Sequence, residues 1–383
     1  MLHSKINRRS HEDEFILNLA RTRLSDERIR DVKDIAGHEL DWNSVLKKAE
    51  AHDVSSLIYY ALKEHSLAEY VPADFLEKTK LKYYDNAVRN IAAEKAVTRL
   101  SEVIEHKIVF VKGADLFQSL YPSTGIRSMG DVDILVEKEH AEAVWYSLVK
   151  NGFTSEEGPE IQYRSEMHEN LCSHLPKLMT DAFTVEVHWN IFGIAKLYPV
   201  TQTSFEKAVQ VRDNIYVLSN EMKLVHLCNH FRRHLRSGAS LRHLCDINEL
   251  IVKHGNEINW DDIDSAINNT DIKSDVSAAL TYASEFLGTE VPEKYIDKDV
   301  INSNTFELGM VLKMNTGTNG EVEVFRNKFK SIPGIQNKLS YLYRIAIPPR
   351  KWVTASFGNN DSDSLAKSYS KYYSYLFKKI TRS

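Results

Sequence analysis

Apolar residues recur at helical spacing through the first hundred positions. Val45 to Leu62 carries one such stripe. Phe75 to His106 carries another, through Ile91, Val97, Leu100, Val103 and Ile104. Arg21 to Ile35 is charged and periodic. Asp41-Trp42-Asn43-Ser44 reads as a helix start, with Asn43 or Ser44 as cap and Trp42 as the staple. The period changes at Ile108-Val109-Phe110-Val111, a β-branched and aromatic run that predicts a buried strand. Lys112-Gly113 follows, then a helix-like Ala114 to Leu120 and a loop over Tyr121-Pro122-Ser123-Thr124-Gly125. Asp131 to Val136 predicts a second strand, and Glu139 to Lys150 a helix closed by Asn151-Gly152. At least one strand is expected within Phe153 to Leu178. Phe183 to Trp189 alternates as a strand, and Val209 to Leu218 reads as a hairpin or strand. Helical spacing returns in Glu221–Leu235, Leu241–His254, Asp261–Asn268 and Asp275–Leu287. Residues 299–383 also read as helical, interrupted at Pro333-Gly334 and Pro348-Pro349. Asn259-Trp260-Asp261-Asp262-Ile263 echoes Asp41 to Val45, as two similar helix starts and not as a repeat.

These patterns predict an α+β (mixed α/β) chain in three parts: a helical region at 1–104, a compact core of strands and helices at 105–218, and a helical domain at 219–383. A length of 383 residues fits two or three domains, and 43% hydrophobic content is enough for sizeable cores. Fifteen glycines and nine prolines exclude fibrous and low-complexity classes. A net charge of -4 gives no general nucleic-acid footprint. Cys172, Cys228 and Cys245 are too few and too far apart for a disulfide framework or a thiolate zinc site. No stretch approaches eighteen apolar residues, so no membrane span is expected. The opening MLHSKINRRSHEDEF lacks an apolar signal region, which predicts a cytoplasmic protein.

The chemistry concentrates at Asp131-Val132-Asp133. On a strand, alternate residues share a face, so both carboxylates project together, about 7 Å apart at the backbone. Two such charges repel unless a cation lies between them, and hard divalent cations want carboxylate oxygens. Lys112-Gly113 sits where a strand turns into a helix. Glycine there allows close backbone approach, and Lys112 offers a point charge to phosphate. Arg127, four residues before Asp131, can neutralise phosphate or pair with a carboxylate. In Phe183 to Trp189, Glu186 and His188 share one face while Val185, Val187 and Trp189 take the other. Asp131, Asp133 and Glu186 together make a set that can hold one or two metal ions.

Other histidines are weighed separately. His226, His230 and His234 recur every four residues and would align on a helix, for packing and hydrogen bonding or for zinc. His168 and His174 fall on one face of an expected strand. Asp246, inside an apolar helix, is positioned to orient an arginine such as Arg242.

The order of these motifs resembles the DNA polymerase β-like nucleotidyltransferase superfamily. It resembles more narrowly the uncharacterised nucleotidyltransferases called NTP transferase family 5. The matching residues are Asp41-Trp42 with Ala49, His52 and Val54, then Val111 through Leu116, Leu120-Tyr121-Pro122, Arg127 and Asp131 through Val136. Glu186-Val187-His188-Trp189 and Glu221 through Ile247 complete the match, which covers roughly residues 25–380. The phosphate turn departs from the superfamily's usual Gly-Ser or Gly-Gly. Gly113 is followed here by Ala114, and Ser128 is the nearest candidate hydroxyl.

The resemblance implies a polymerase β-like core with a mixed sheet between helical regions. It also implies Mg²⁺- or Mn²⁺-dependent transfer of a nucleoside monophosphate from an NTP, with release of pyrophosphate. In that reading Asp131, Asp133 and Glu186 are catalytic and hold metal, while Lys112, Gly113, Arg127, Ser128 and His188 contact the nucleotide. The acceptor is expected to be a small molecule or sugar, because the chain is acidic overall. Nucleotidylation of a protein or tRNA and a non-catalytic nucleotide-binding scaffold are the alternatives. Oligomeric state is not legible.

Overall fold

A computed structural model gives the fold. It describes residues 9–155, 173–180, 183–193, 197–235, 240–268, 270–303, 335–348, 350, 353 and 364–381. At its centre lies a six-stranded mixed sheet of order β3-β4-β2-β1-β6-β5. The strands are β1 (Ile108–Val111), β2 (Asp131–Leu135), β3 (Leu178–Met179), β4 (Thr184–His188), β5 (Val209–Arg212) and β6 (Ile215–Val217). β2 runs antiparallel to β1 and parallel to β4, and β1 runs parallel to β6. β3 and β5 close the edges as antiparallel partners of β4 and β6. This is the mixed α+β architecture that the strand and helix patterns predict. The Val209–Leu218 stretch forms a bulged hairpin, β5–β6.

Strand alternation sorts the sheet into two faces. Val132, Ile134, Val185 and Val187 join an apolar cluster. Ala93, Ala96 and Leu100 of α5 (Ala73–Val103) cover it, with Val144, Trp145 and Leu148 of α7 (Ala141–Lys150). The acids of β2 and β4 are thereby left on the opposite face. There Val109, Val111 and Leu135 enter a larger cluster. This cluster gathers N-terminal helices α1 (His11–Leu19), α3 (Trp42–Ala51) and α4 (Ser55–Glu64). It also gathers C-terminal helices α9 (Asn220–Leu235), α10 (Leu241–His254) and α12 (Ile272–Leu287). The remaining helices are α2 (Asp26–Ala36), α6 (Gly113–Ser119), α8 (Tyr198–Glu206), α11 (Trp260–Ile267), α13 (Lys298–Ser303), α14 (Ile335–Ala346) and α15 (Leu365–Thr381). Among the described residues no helix is long and apolar enough to cross a membrane.

Several local readings need correction. The cap of α3 is Asp41, whose carboxylate accepts from the Asn43 and Ser44 amides at 3.0 and 3.1 Å. Trp42 is therefore the first helical residue and not a staple outside it. Asn259 caps α11 in the same way, which explains the echo between the two segments. The stripe over Val45–Leu62 is two helices. It breaks at Asp53, whose φ of 55° is left-handed. Tertiary partners hold that break: Arg242 pairs with Asp53 at 2.9 Å, the Ser128 hydroxyl donates to it, and the Leu241 amide donates to His52 Nδ1. α8 gave no periodic signal and was missed. His168 and Cys172 lie outside the described residues.

Two buried ion pairs join the helical C-terminal stretch to the sheet region. Lys223 of α9 meets Asp115 of α6 at 2.8 Å. Asp246 of α10 meets Arg127 of the loop before β2 at 2.8 Å.

Candidate active site

Parallel pairing of β2 and β4 sets Asp131 opposite Thr184, Asp133 opposite Glu186 and Leu135 opposite His188. Asp133 and Glu186 thus stand side by side on one face. Like charges directly opposite on neighbouring strands destabilise a sheet unless something offsets them. The offsetting groups are two lysines and a histidine. Lys112 Nζ donates to Asp133 Oδ1 at 2.6 Å. His188 Nε2 donates to the same oxygen at 2.7 Å and lies 3.2 Å from Glu186 Oε2. Lys177 Nζ lies 2.7 Å from Glu186 Oε1 and donates to Asp131 Oδ2 at 3.1 Å. Lys177 immediately precedes β3, whose antiparallel register carries it opposite Glu186. Lys177, Glu186 and Asp133 therefore form one row across three strands. The sequence reading missed Lys177, because a lone lysine before a two-residue strand has no periodicity to announce it.

Burial by itself would raise the pKa of Asp133. The charge of Lys112 and the His188 hydrogen bond outweigh it and hold the carboxyl below its ordinary value. The same contest at Glu186 ends well below the carboxylate range. There burial is overcome by the His188 hydrogen bond, the charges of His174 and His188, and the Lys177 hydrogen bond. Burial would lower Lys177, but its hydrogen bond and charge pairing with Glu186, then with Asp131, carry it above its ordinary value. Substituting Lys177 by Met is therefore expected to raise the Glu186 pKa, read by carboxyl carbon NMR across a pH titration. Stability should change by less than about 1 kcal/mol, because the lysine is half exposed. An unmoved Glu186 would show that the pairing carries no weight in solution.

Asp133, Glu186 and His188 each offer a ligand atom within 4.8 Å of the others, and all three are buried. Two carboxylates and an imidazole make a donor set compatible with a divalent cation. Asp131 stands at the exposed end and reaches Glu186 through Lys177. Of the residues expected at the site, Asp133, Glu186, Lys112 and His188 come together, while Asp131 lies outside that cluster and is joined to it through Lys177. Among the described residues the buried Nδ1 of His188 has no hydrogen-bond partner.

The turn at Lys112-Gly113 has a specific local cause. Lys112 has φ 52° and ψ −129°, a conformation a non-glycine residue adopts only when its surroundings impose it. A side chain at Gly113 would come within 2.9 Å of Arg127 Nη1 and 3.0 Å of Met129 Cγ. Arg127 is itself buried. Its Nε and Nη2 donate to the two Asp246 oxygens at 2.8 and 2.9 Å, and Tyr121 donates to the same carboxylate. Asp246 thus orients an arginine, but the arginine is Arg127; Arg242 is drawn instead to Asp53. Asn90 of α5 donates to the carbonyls of Thr124 and Arg127, and Ser128 is tied to Asp53. The loop ahead of Asp131 is held from both helical regions. No sequence pattern links positions 90, 53 and 246 to it.

Neither a curated protein nor a solved structure matches the chain. A family model described as uncharacterised nucleotidyltransferase matches residues 38–288. That span contains the whole sheet, the acidic cluster and the Lys112-Gly113 turn. The chain belongs to this uncharacterised nucleotidyltransferase family.

Proposed function

We propose that the protein is a metal-dependent nucleotidyltransferase that moves a nucleoside monophosphate from an NTP to a small-molecule or sugar-type acceptor. The observation that carries this reading is the buried Asp133–Glu186–His188 cluster, with ligand atoms within 4.8 Å, inside the matched family span. The acceptor hydroxyl oxygen would attack the α-phosphorus as its proton passes to solvent. The bond from that phosphorus to the bridging oxygen would break, and pyrophosphate would leave. A divalent cation, Mg²⁺ or Mn²⁺, held by Asp131, Asp133 and Glu186 with His188, would supply charge stabilisation for the displacement. Lys112 is poised to exchange its carboxylate for a phosphate oxygen. We assign Glu186 to charge and positioning, since its carboxylate is paired with Lys177 and His188. Arg127 and Ser128 would support the nucleotide pocket from behind, Arg127 by packing on Gly113. Regions 1–104 and 219–383 would frame the 105–218 core.

Incubation with each labelled NTP, Mg²⁺ or Mn²⁺, and a cell extract tests the reading. Label on a small molecule is the expected result. Label on protein or RNA would redirect the acceptor, and no transfer with any NTP would sink the proposal. Lys112→Ala should weaken NTP binding by about 1.5–3 kcal/mol, one lost charge-assisted hydrogen bond. Equal affinity in wild type and variant, by calorimetry, would remove Lys112 from the nucleotide site.

A further inference from the structure

α9 carries His226, His230 and His234 one turn apart on a single face. Their ring centroids are 6.1 Å apart for the first pair and 4.4 Å for the second. His243 of α10 packs on the outer two at 5.1 and 5.5 Å, nearly parallel to His234. The row runs outward: His226 is buried, His230 half-buried and His234 exposed. Eight residues of helix give it a length of about 12 Å. Its inner end lies beside the Lys112-Gly113 turn, since Lys223, one turn before His226, pairs with Asp115 of α6 at 2.8 Å.

The chemistry of the row favours an anion. Arg233 acts on His226 and His234, and Arg242 on His234 and His243. The neighbouring carboxylates already have cationic partners: Asp246 has Arg127, Asp53 has Arg242, and Asp133 has Lys112. His226 Nε2 is buried with no hydrogen-bond partner among the described residues. A buried polar nitrogen left unpaired is costly unless a ligand or water completes it. Burial first, and these cations second, push His226 down to about 3 and His234 to about 4, so the row is neutral at pH 7. Neutral imidazoles donate hydrogen bonds without forming ion pairs with the site's own acids. An arriving polyanion would meet an extended line of N–H donors flanked by lysine and arginine. A zinc site is the competing reading, but the described residues bring no three of these histidines within metal-ligand reach of one another.

We propose that the His226–His230–His234 row, with Lys112, binds the β- and γ-phosphates of the nucleotide, the part that leaves as pyrophosphate. This rests on the nucleotidyl-transfer reading for the identity of the nucleotide, but its anion chemistry can be tested alone. Inorganic tripolyphosphate is titrated into the full-length protein with Mg²⁺, and imidazole nitrogen resonances are followed. Those of His226 and His230 should move, and that of exposed His38 should stay. His230→Gln, at a half-buried position, and His226→Gln are compared with wild type by calorimetry. Each should lose about 10-fold or more in affinity for tripolyphosphate and for an NTP, as expected for a hydrogen bond to a charged group. Affinity for the corresponding NMP should be unchanged. The inference is overturned if wild type does not bind tripolyphosphate, if both variants bind it normally, or if NMP affinity falls in proportion. Displacement of the same resonances by Zn²⁺ but not by tripolyphosphate overturns it too. A wild type that binds tripolyphosphate on the row but no nucleotide upholds the anion site and sinks the nucleotidyl-transfer reading instead.

Discussion

Asp133→Asn is expected to lower nucleotide transfer by at least about 100-fold, more than losing an outer-sphere partner of a metal usually costs. Asp133 is 1% exposed, and its Oδ1 is the point where Lys112 and His188 meet. An amide keeps the shape but surrenders the charge that a divalent cation needs. The strand pattern alone predicts a stabilised variant without metal, because two neighbouring acids repel. The structure reverses that sign. Asp131 and Asp133 face separate lysines, so removing the second charge leaves Lys112 without its anion. The metal-free variant should lose about 1.5–3 kcal/mol, the value of a hydrogen bond to a charged group. Mg²⁺ with NTP should raise the Tm of wild type by linkage, and the variant should lose most of that rise. Equal responses in the two proteins would take the metal site away from Asp133.

The largest effect on stability is expected at Asp246→Ala. It strips the buried Arg127 guanidinium of both of its carboxylate contacts and Tyr121 of its acceptor. Breaking a buried pair by deleting one partner costs about 3–5 kcal/mol, because the surviving charge stays desolvated. Denaturant unfolding should show that loss, and transfer should fall with it, because Arg127 packs on Gly113 beside the site. Burial would raise the Asp246 pKa, but the charge and hydrogen bonds of Arg127 outweigh it and hold it below its ordinary 3.8. A depressed carboxylate pKa stabilises the fold fully above the unfolded value. That contribution is lost as the pH drops below about 3.8 and through the folded value. The wild-type stability profile should therefore fall more steeply below pH 4 than that of the alanine variant. Parallel profiles would mean that the pair contributes nothing to folding.

The faces of the strands that carry the candidate site were legible in the sequence. Period-two alternation in Asp131–Val136 and Phe183–Trp189 put both pairs of polar residues opposite their valines, and the faces of the sheet obey it. The helical stripes of α9 and α10 were readable for the same reason, a one-dimensional repeat written by burial. Local sequence could not reveal the break at Asp53 or the commitment of Arg127 to Asp246. Both depend on partners more than a hundred residues away.

By itself the sequence determined which residues share a face, because backbone geometry makes side-chain direction a function of spacing alone. It determined the mixed α+β class and the family to which the chain belongs. Only the tertiary structure decided which charges meet. The parallel register of β2 and β4 set Asp133 against Glu186, and edge strand β3 delivered Lys177. The packing of α9 set Lys223 against Asp115 and so brought the inner end of a periodic row of histidines beside the Lys112-Gly113 turn. Electrostatic pairing depends on distance in space and burial from water, and neither quantity is written along the chain.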